Sequence, residues 1–319
     1  RSALGPHPSA RHTAIYGSLR AVIVKQDLLH LSSEAMSAFD PLIDFLCGKF
    51  PYAMESTILG HAFAGALAIK GGKNRNGDLH WFHAFVHSVV AGFAGGLFNF
   101  MWMGNPTSMI SNDVVFASCV IAFTVVNAVP FELGYRLADF LPVKLVITVF
   151  ALLFRSLGMV GFITSAFTTF EESPSKYYPI PVFGPIFYGV MLGNMGGFFT
   201  KGIDGYLANG IPWPFQNGMF CAPFFHFYAH DNKGPIGDLL RSTMAPVQDL
   251  FPGVDDRTFA IAFVSLFMQV NGLLQLNAFL GQTFSPFVTM QRMINAPLYA
   301  VLSKDKKSSV AGLKARERV

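Results

Sequence analysis

Charged residues fall in short clusters along this chain, and the clusters divide it into uncharged runs of membrane length. Leu79 to Asn112 and Tyr177 to Thr200 are two such runs, and a transmembrane helix needs about 20 apolar residues. The pattern predicts seven spans: about Tyr52–Ile69, Trp81–Met103, a third from near Val114, a fourth from after Pro142 to about Phe170, Pro179–Thr200, Trp213–Ala229 and Phe259–Gly281. The third is uncharged to Ala128 and is expected to continue through Pro130, so that Glu132 and Arg136 pair four residues apart on one helix face. Pro212, Pro214 and Pro223 make the sixth the least helix-friendly. The chain therefore divides into an N-terminal extension (1–50), a transmembrane domain (51–281) and a basic tail (282–319). Ser32 to Phe50 is mildly amphipathic, with Met36, Phe39, Leu42, Ile43 and Leu46 at near-helical spacing, and is placed along the membrane surface. The basic, serine-containing Arg1–Lys25 fits either an organelle-targeting remnant or a plain extension.

Two of the apolar runs carry the same glycine spacing. Gly92, Gly95 and Gly96 recur about a hundred residues later as Gly193, Gly196 and Gly197. Glycine weakens a helix by roughly 1 kcal/mol against alanine, and lipid offers no water to the backbone groups it loosens. Close helix packing, simple bending and an interrupted helix at a substrate or ion pathway all account for one motif alone. Two motifs in matching positions favour the pathway. Three spans per half is an odd number, so the second half inserts upside down. Spans one to three (52–140) and four to six (143–229) then form a 3+3 inverted repeat, with helix 259–281 added, and each motif lies in the middle span of its triplet.

Composition agrees with an all-α membrane protein: 52% of residues are hydrophobic and 13% charged, against about a quarter charged in soluble domains. Lys70, Lys73, Arg75, Arg136, Lys144, Lys201 and the basic tail gather on one side of the predicted spans. The positive-inside rule makes that side, and the C-terminus, cytosolic. Arg20, Lys25 and Lys49 run against this placement. Cys47, Cys119 and Cys221 are odd in number and widely spaced, which implies neither a disulfide framework nor a zinc site.

Arg155 is the sharpest single residue. It lies eleven positions past Lys144, about 16 Å deeper along a helix, and a central arginine costs at least about 2.5 kcal/mol on insertion scales. Either it snorkels or pairs with a buried acid, or it faces an aqueous cavity where it meets lipid headgroups or ions or senses voltage. Asn99, Asn127 and Asn194 serve either as glue between helices or as replacements for water around a cation. His83 and His87, and His226 and His230, are spaced four apart and could ligate haem or a metal, or act as interfacial and interhelical polar groups. No nucleophile elbow, phosphate loop or paired carboxylate is present, so an enzyme is not expected, nor a nucleic-acid partner. No metal site or cofactor is assigned.

These residues resemble the trimeric intracellular cation channels. The match lies in Trp81 and His87, in Pro130-Phe131-Glu132-Leu133 with Tyr135-Arg136, in Leu141-Pro142-Val143-Lys144-Leu145, and in Lys201-Gly202. The resemblance implies a homotrimer in the endoplasmic or sarcoplasmic reticulum or nuclear envelope, with a potassium-permeable pore in each subunit. That pore is lined by the kinked second and fifth helices, here Gly92, Gly95, Gly96 and Gly193, Gly196, Gly197, beside Asn99 and Asn194. It further implies membrane-lipid partners and a phosphoinositide held by a lysine and an arginine on the fourth helix. This chain keeps Arg155 but has Ala151 in the lysine's place and Leu152 where an acid is usual, so Lys70, Lys73 or Lys144 is expected to supply the missing charge, with Lys201 a further lipid-binding or gating candidate. A secondary transporter on the same inverted-repeat plan is the alternative.

Overall fold

The computed structural model describes residues 39–104, 107–172, 176–207 and 211–276, together with residues 279 and 293. Most of the N-terminal extension and all of the basic tail but residue 293 lie outside them. Among the described residues every regular element is helical. The short α1 (Asp40–Leu46) precedes α2 (Ala53–Lys70), α3 (Trp81–Trp102), the single turn α4 (Ser108–Ser111) and α5 (Asp113–Phe123). After a π-helical turn (Thr124–Ala128) and a 3-10 turn (Pro130–Glu132) come α6 (Leu133–Asp139), α7 (Leu141–Phe170), α8 (Phe183–Leu192) and α9 (Met195–Leu207). The last three are α10 (Trp213–His230), α11 (Pro235–Gln248) and α12 (Asp256–Leu274).

The helices α3, α7 and α12 are long and apolar enough to cross a membrane, and Asp113–Ala128 with Pro130–Asp139 makes a bent fourth candidate. With the hydropathy of the whole chain, these mark an integral membrane protein. The bend is 95°. Pro130 cannot donate a backbone N–H, Val129 before it is extended, and Phe131 and Glu132 both take positive φ. This overturns the expectation of one continuous third helix with Glu132 paired to Arg136. Glu132 instead meets Lys70 at 3.0 Å, closing the bend onto the end of α2.

Lipid tails are as apolar as leucine, so helices in a bilayer associate through close packing and interhelical hydrogen bonds. One core cluster includes Ala62, Ala66, Phe93, Ala122 and Val126, and a second includes Ile163, Phe225, Tyr228, Ala260 and Val264. Helix α7 contributes to both and touches α2, α8 and α12. Its polar links to α12 are Ser265 Oγ–Ser156 Oγ at 2.9 Å and Gln269 Nε2 to the Val149 carbonyl at 2.8 Å. The segment α1 occupies only part of the predicted surface stretch. Of its residues only Leu46 is buried, and the flanking residues touch the body, Phe39 edge-on to Phe251 and Cys47 against the Thr258 carbonyl.

The helix α11 has no counterpart among the predicted spans, because Pro235, Gly237, Pro246 and the scattered charges read as a loop. Buried Asp231 organises it. The carboxylate accepts from the Tyr178 hydroxyl at 2.6 Å and the Gly237 N–H at 2.9 Å, while Arg241 donates to the Asp231 carbonyl and to Asp238.

Helix α12 starts at an N-cap, where Asp255 accepts from the Thr258 amide at 3.0 Å and hydroxyl at 2.7 Å. Those bonds hold its carboxyl below the usual carboxylate value. Asp255→Ala should cost about 1 kcal/mol, measured as a lower thermal midpoint in detergent. A depressed native value means the contribution is present above the unfolded value, about pH 3.9, and fades as pH falls through the native one. The wild-type advantage over Asp255→Ala should therefore shrink on acidification.

Candidate functional site: a glycine-lined cavity

The second glycine motif divides its span. Helix α8 stops at Leu192, Gly193 and Asn194 form a turn, and α9 begins at Met195. The first motif does not, since α3 runs through Gly92, Gly95 and Gly96 without interruption. What the two motifs share is close backbone approach. A Cβ at Gly196 would overlap the Ala91 carbonyl of α3, and one at Gly65 would stand 2.6 Å from the Ser88 carbonyl oxygen and 3.2 Å from the Gly92 nitrogen. Missing side chains thus bring α9, α3 and α2 together.

Between them lies a cavity of about 850 Å³. Gly92, Gly96, Gly193, Gly196 and Gly197 line it; Gly95 and Asn194 do not. Arg155 supplies the one formal charge on the described lining, joined by His61, Tyr206 and Trp213. The Arg155 Nη2 donates to the Gly193 carbonyl at 2.7 Å, and the guanidinium carbon stands 5.9 Å from the Trp213 ring centre. No carboxylate pairs with it among the described residues. The counterweight is the end of α8, where unpaired carbonyls carry roughly half a negative charge, and the aromatic face adds about 0.5–2 kcal/mol.

Asn194 is spent inside the break. Its Nδ2 donates to the Val190 carbonyl at 2.6 Å, and its Oδ1 accepts from the Tyr206 hydroxyl at 3.0 Å. Tyr206 reaches back because Gly202, at φ 73°, reverses the chain within α9, and its ring covers Gly197. The side chain of Asn99 lies outside the described residues. Asn127 accepts from Asn74 at 3.3 Å, away from the cavity.

The lysines do not join Arg155. Lys70 is held by Glu132, Lys144 by Asp139 at 2.7 Å, and neither they nor Lys73 or Lys201 line the cavity. The histidine pairs are also elsewhere. The rings of His83 and His87 lie 4.6 Å apart, and His226 donates from Nε2 to the Pro181 carbonyl at 2.8 Å. No three metal-ligating side chains converge among the described residues.

A trimeric intracellular cation channel from C. elegans, solved in the absence of Ca2+, matches 74% of this chain and 96% of its own at 17% identity and a TM-score of 0.51. The chain has that channel fold. A C. elegans channel of the same type with bound Ca2+ gives 0.49 over 76% of this chain and 97% of its own at 14% identity. A structure of TRIC counter-ion channels in calcium release gives 0.47 over 75% and 99% at 16% identity. No protein-family model and no curated protein matches the sequence.

His61, Tyr206 and Trp213 escaped the sequence reading of this channel fold. The signal for His61 was its position four residues before Gly65, on the small-residue face of α2; Tyr206 depends on the reversal at Gly202. Gly196→Ala should separate α9 from α3 and lower the thermal midpoint. Gly158→Ala, where a Cβ meets nothing within 4 Å, should leave the midpoint unchanged or slightly raised.

Proposed function

We propose that the chain is a subunit of a trimeric intracellular cation channel, with a potassium-permeable pathway of its own through the glycine-lined cavity. The observation that carries this is a cavity touched by both glycine motifs and by Arg155, in a chain with the fold of such a channel. Seven spans fit the helices once α5–α6 and α8–α9 each count as one broken span. They pair as an inverted repeat in which α2, α3 and α5–α6 correspond to α7, α8–α9 and α10, with α12 added. The organelle is the endoplasmic or sarcoplasmic reticulum or the nuclear envelope, and the C-terminus is cytosolic.

A guanidinium beside a cation path repels the permeant ion, so Arg155 serves as a gating charge. Its bond to Gly193 ties the charge to the break between α8 and α9. A charge that moves across the membrane field contributes about 2.3 kcal/mol per 100 mV, enough to bias such a break. A phosphoinositide headgroup is the second occupant that Arg155 favours. With Ala151 in place of a lysine, and Lys70 and Lys144 engaged with acids, that headgroup meets one cation at the cavity and binds weakly; native mass measurements with phosphoinositide check this.

Reconstituted protein in a planar bilayer under a potassium gradient should show single-channel steps. Arg155→Ala should change the open probability or its voltage dependence. Saturable, coupled uptake without steps would instead mark a secondary transporter, and steps with no response to Arg155→Ala would remove the gating role.

A further inference from the structure

The bond from Arg155 to Gly193 has a twin. His61 of α2 places Nε2 2.7 Å from the Gly92 carbonyl oxygen, and a carbonyl only accepts, so Nε2 carries the proton. Gly92 and Gly193 are the first glycines of the two motifs, and Arg155 lies 2.7 Å from the latter's carbonyl. Each donor stands on the helix preceding its motif, α2 before α3 and α7 before α8. Both donors line the same cavity. The His61 ring is fixed rather than free: it stacks on Phe154, the neighbour of Arg155 in sequence, at 4.6 Å and meets Phe93 edge-on at 5.2 Å.

We infer that His61 is a positioning residue of the gate: it holds the Gly92 carbonyl as Arg155 holds that of Gly193, so that each glycine motif is pinned by one side chain from the helix before it. This rests on the channel proposal and names a regulatory residue within that site. A side chain that bonds a helical carbonyl competes for that oxygen with the amide four residues on, and side-chain insertion into the ladder is one of the known causes of a helix bend. In α3 that competition falls on Gly92, four residues before Gly96, where the helix is already weakened by glycine. The His61 bond therefore sets how readily α3 yields at its motif, while the corresponding break in the second half is already formed at Gly193.

Single-channel recording of the full chain tests this. His61→Phe keeps a ring between Phe154 and Phe93 but removes the donor. It should shift the open–closed equilibrium about five-fold, the factor of a net hydrogen bond of about 1 kcal/mol. His61→Gln, which retains an N–H donor, should stay near wild type. If His61→Phe fails to assemble, His61→Asn, too short to reach Gly92, must give the same shift. Wild-type gating in whichever of His61→Phe and His61→Asn assembles, or an equal shift in His61→Gln, overturns the inference and leaves the channel proposal standing. An absence of single-channel currents from wild-type protein brings down the channel proposal, and this inference with it.

Discussion

An arginine at membrane depth, with no carboxylate beside it among the described residues, constrains everything around the cavity of this protein. The charge of Arg155 has to be met by something, and what meets it is a carbonyl made available by breaking a helix. Gly193 ends α8, and its oxygen accepts from Nη2 at 2.7 Å. An intact helix would commit that carbonyl to its own ladder. The break and the half-buried charge are thus two parts of one arrangement, each costly alone and partly offset together. Trp213, the first residue of α10, adds its ring face and ties a third helix to the same charge.

Around that point the packing is governed by missing side chains. Gly196 lies against the Ala91 carbonyl, and Gly65 against Ser88 and Gly92. In lipid no hydrophobic gain drives helices together, so such contacts and the few interhelical hydrogen bonds carry the association. The same small residues that permit close approach also leave the cavity between the helices. Larger residues elsewhere fill the two flanking clusters, and α7 joins those clusters along one helix.

The polar groups divide into those that face the cavity and those that only fasten the frame. Asn194 and Tyr206 bond to one another inside the break, His226 secures the segment before α8, and Asp231 fixes the start of α11. Lys70 and Lys144 close turns at helix ends through Glu132 and Asp139. At the described cavity wall the guanidinium of Arg155 and the imidazole of His61 stand beside Tyr206, Trp213, the polar side chains of Thr148, Ser165 and Gln275, and backbone exposed by glycine.

The sequence alone determined the all-helical membrane class and the boundaries of α7 and α10 to within a few residues, and it singled out the two glycine motifs and Arg155, which the fold brings to one cavity. These are legible because lipid imposes length and apolarity locally, and because glycine and arginine at membrane depth are expensive enough to stand out. Tertiary structure decided the rest: that only the second motif breaks its helix, that Glu132 turns to Lys70, that α11 is a helix, and that His61, Tyr206 and Trp213 meet at the cavity. Each depends on contacts between residues from tens of positions to more than a hundred apart in the chain, and hydropathy or spacing within one segment carries no information about which distant backbone atom a side chain will reach.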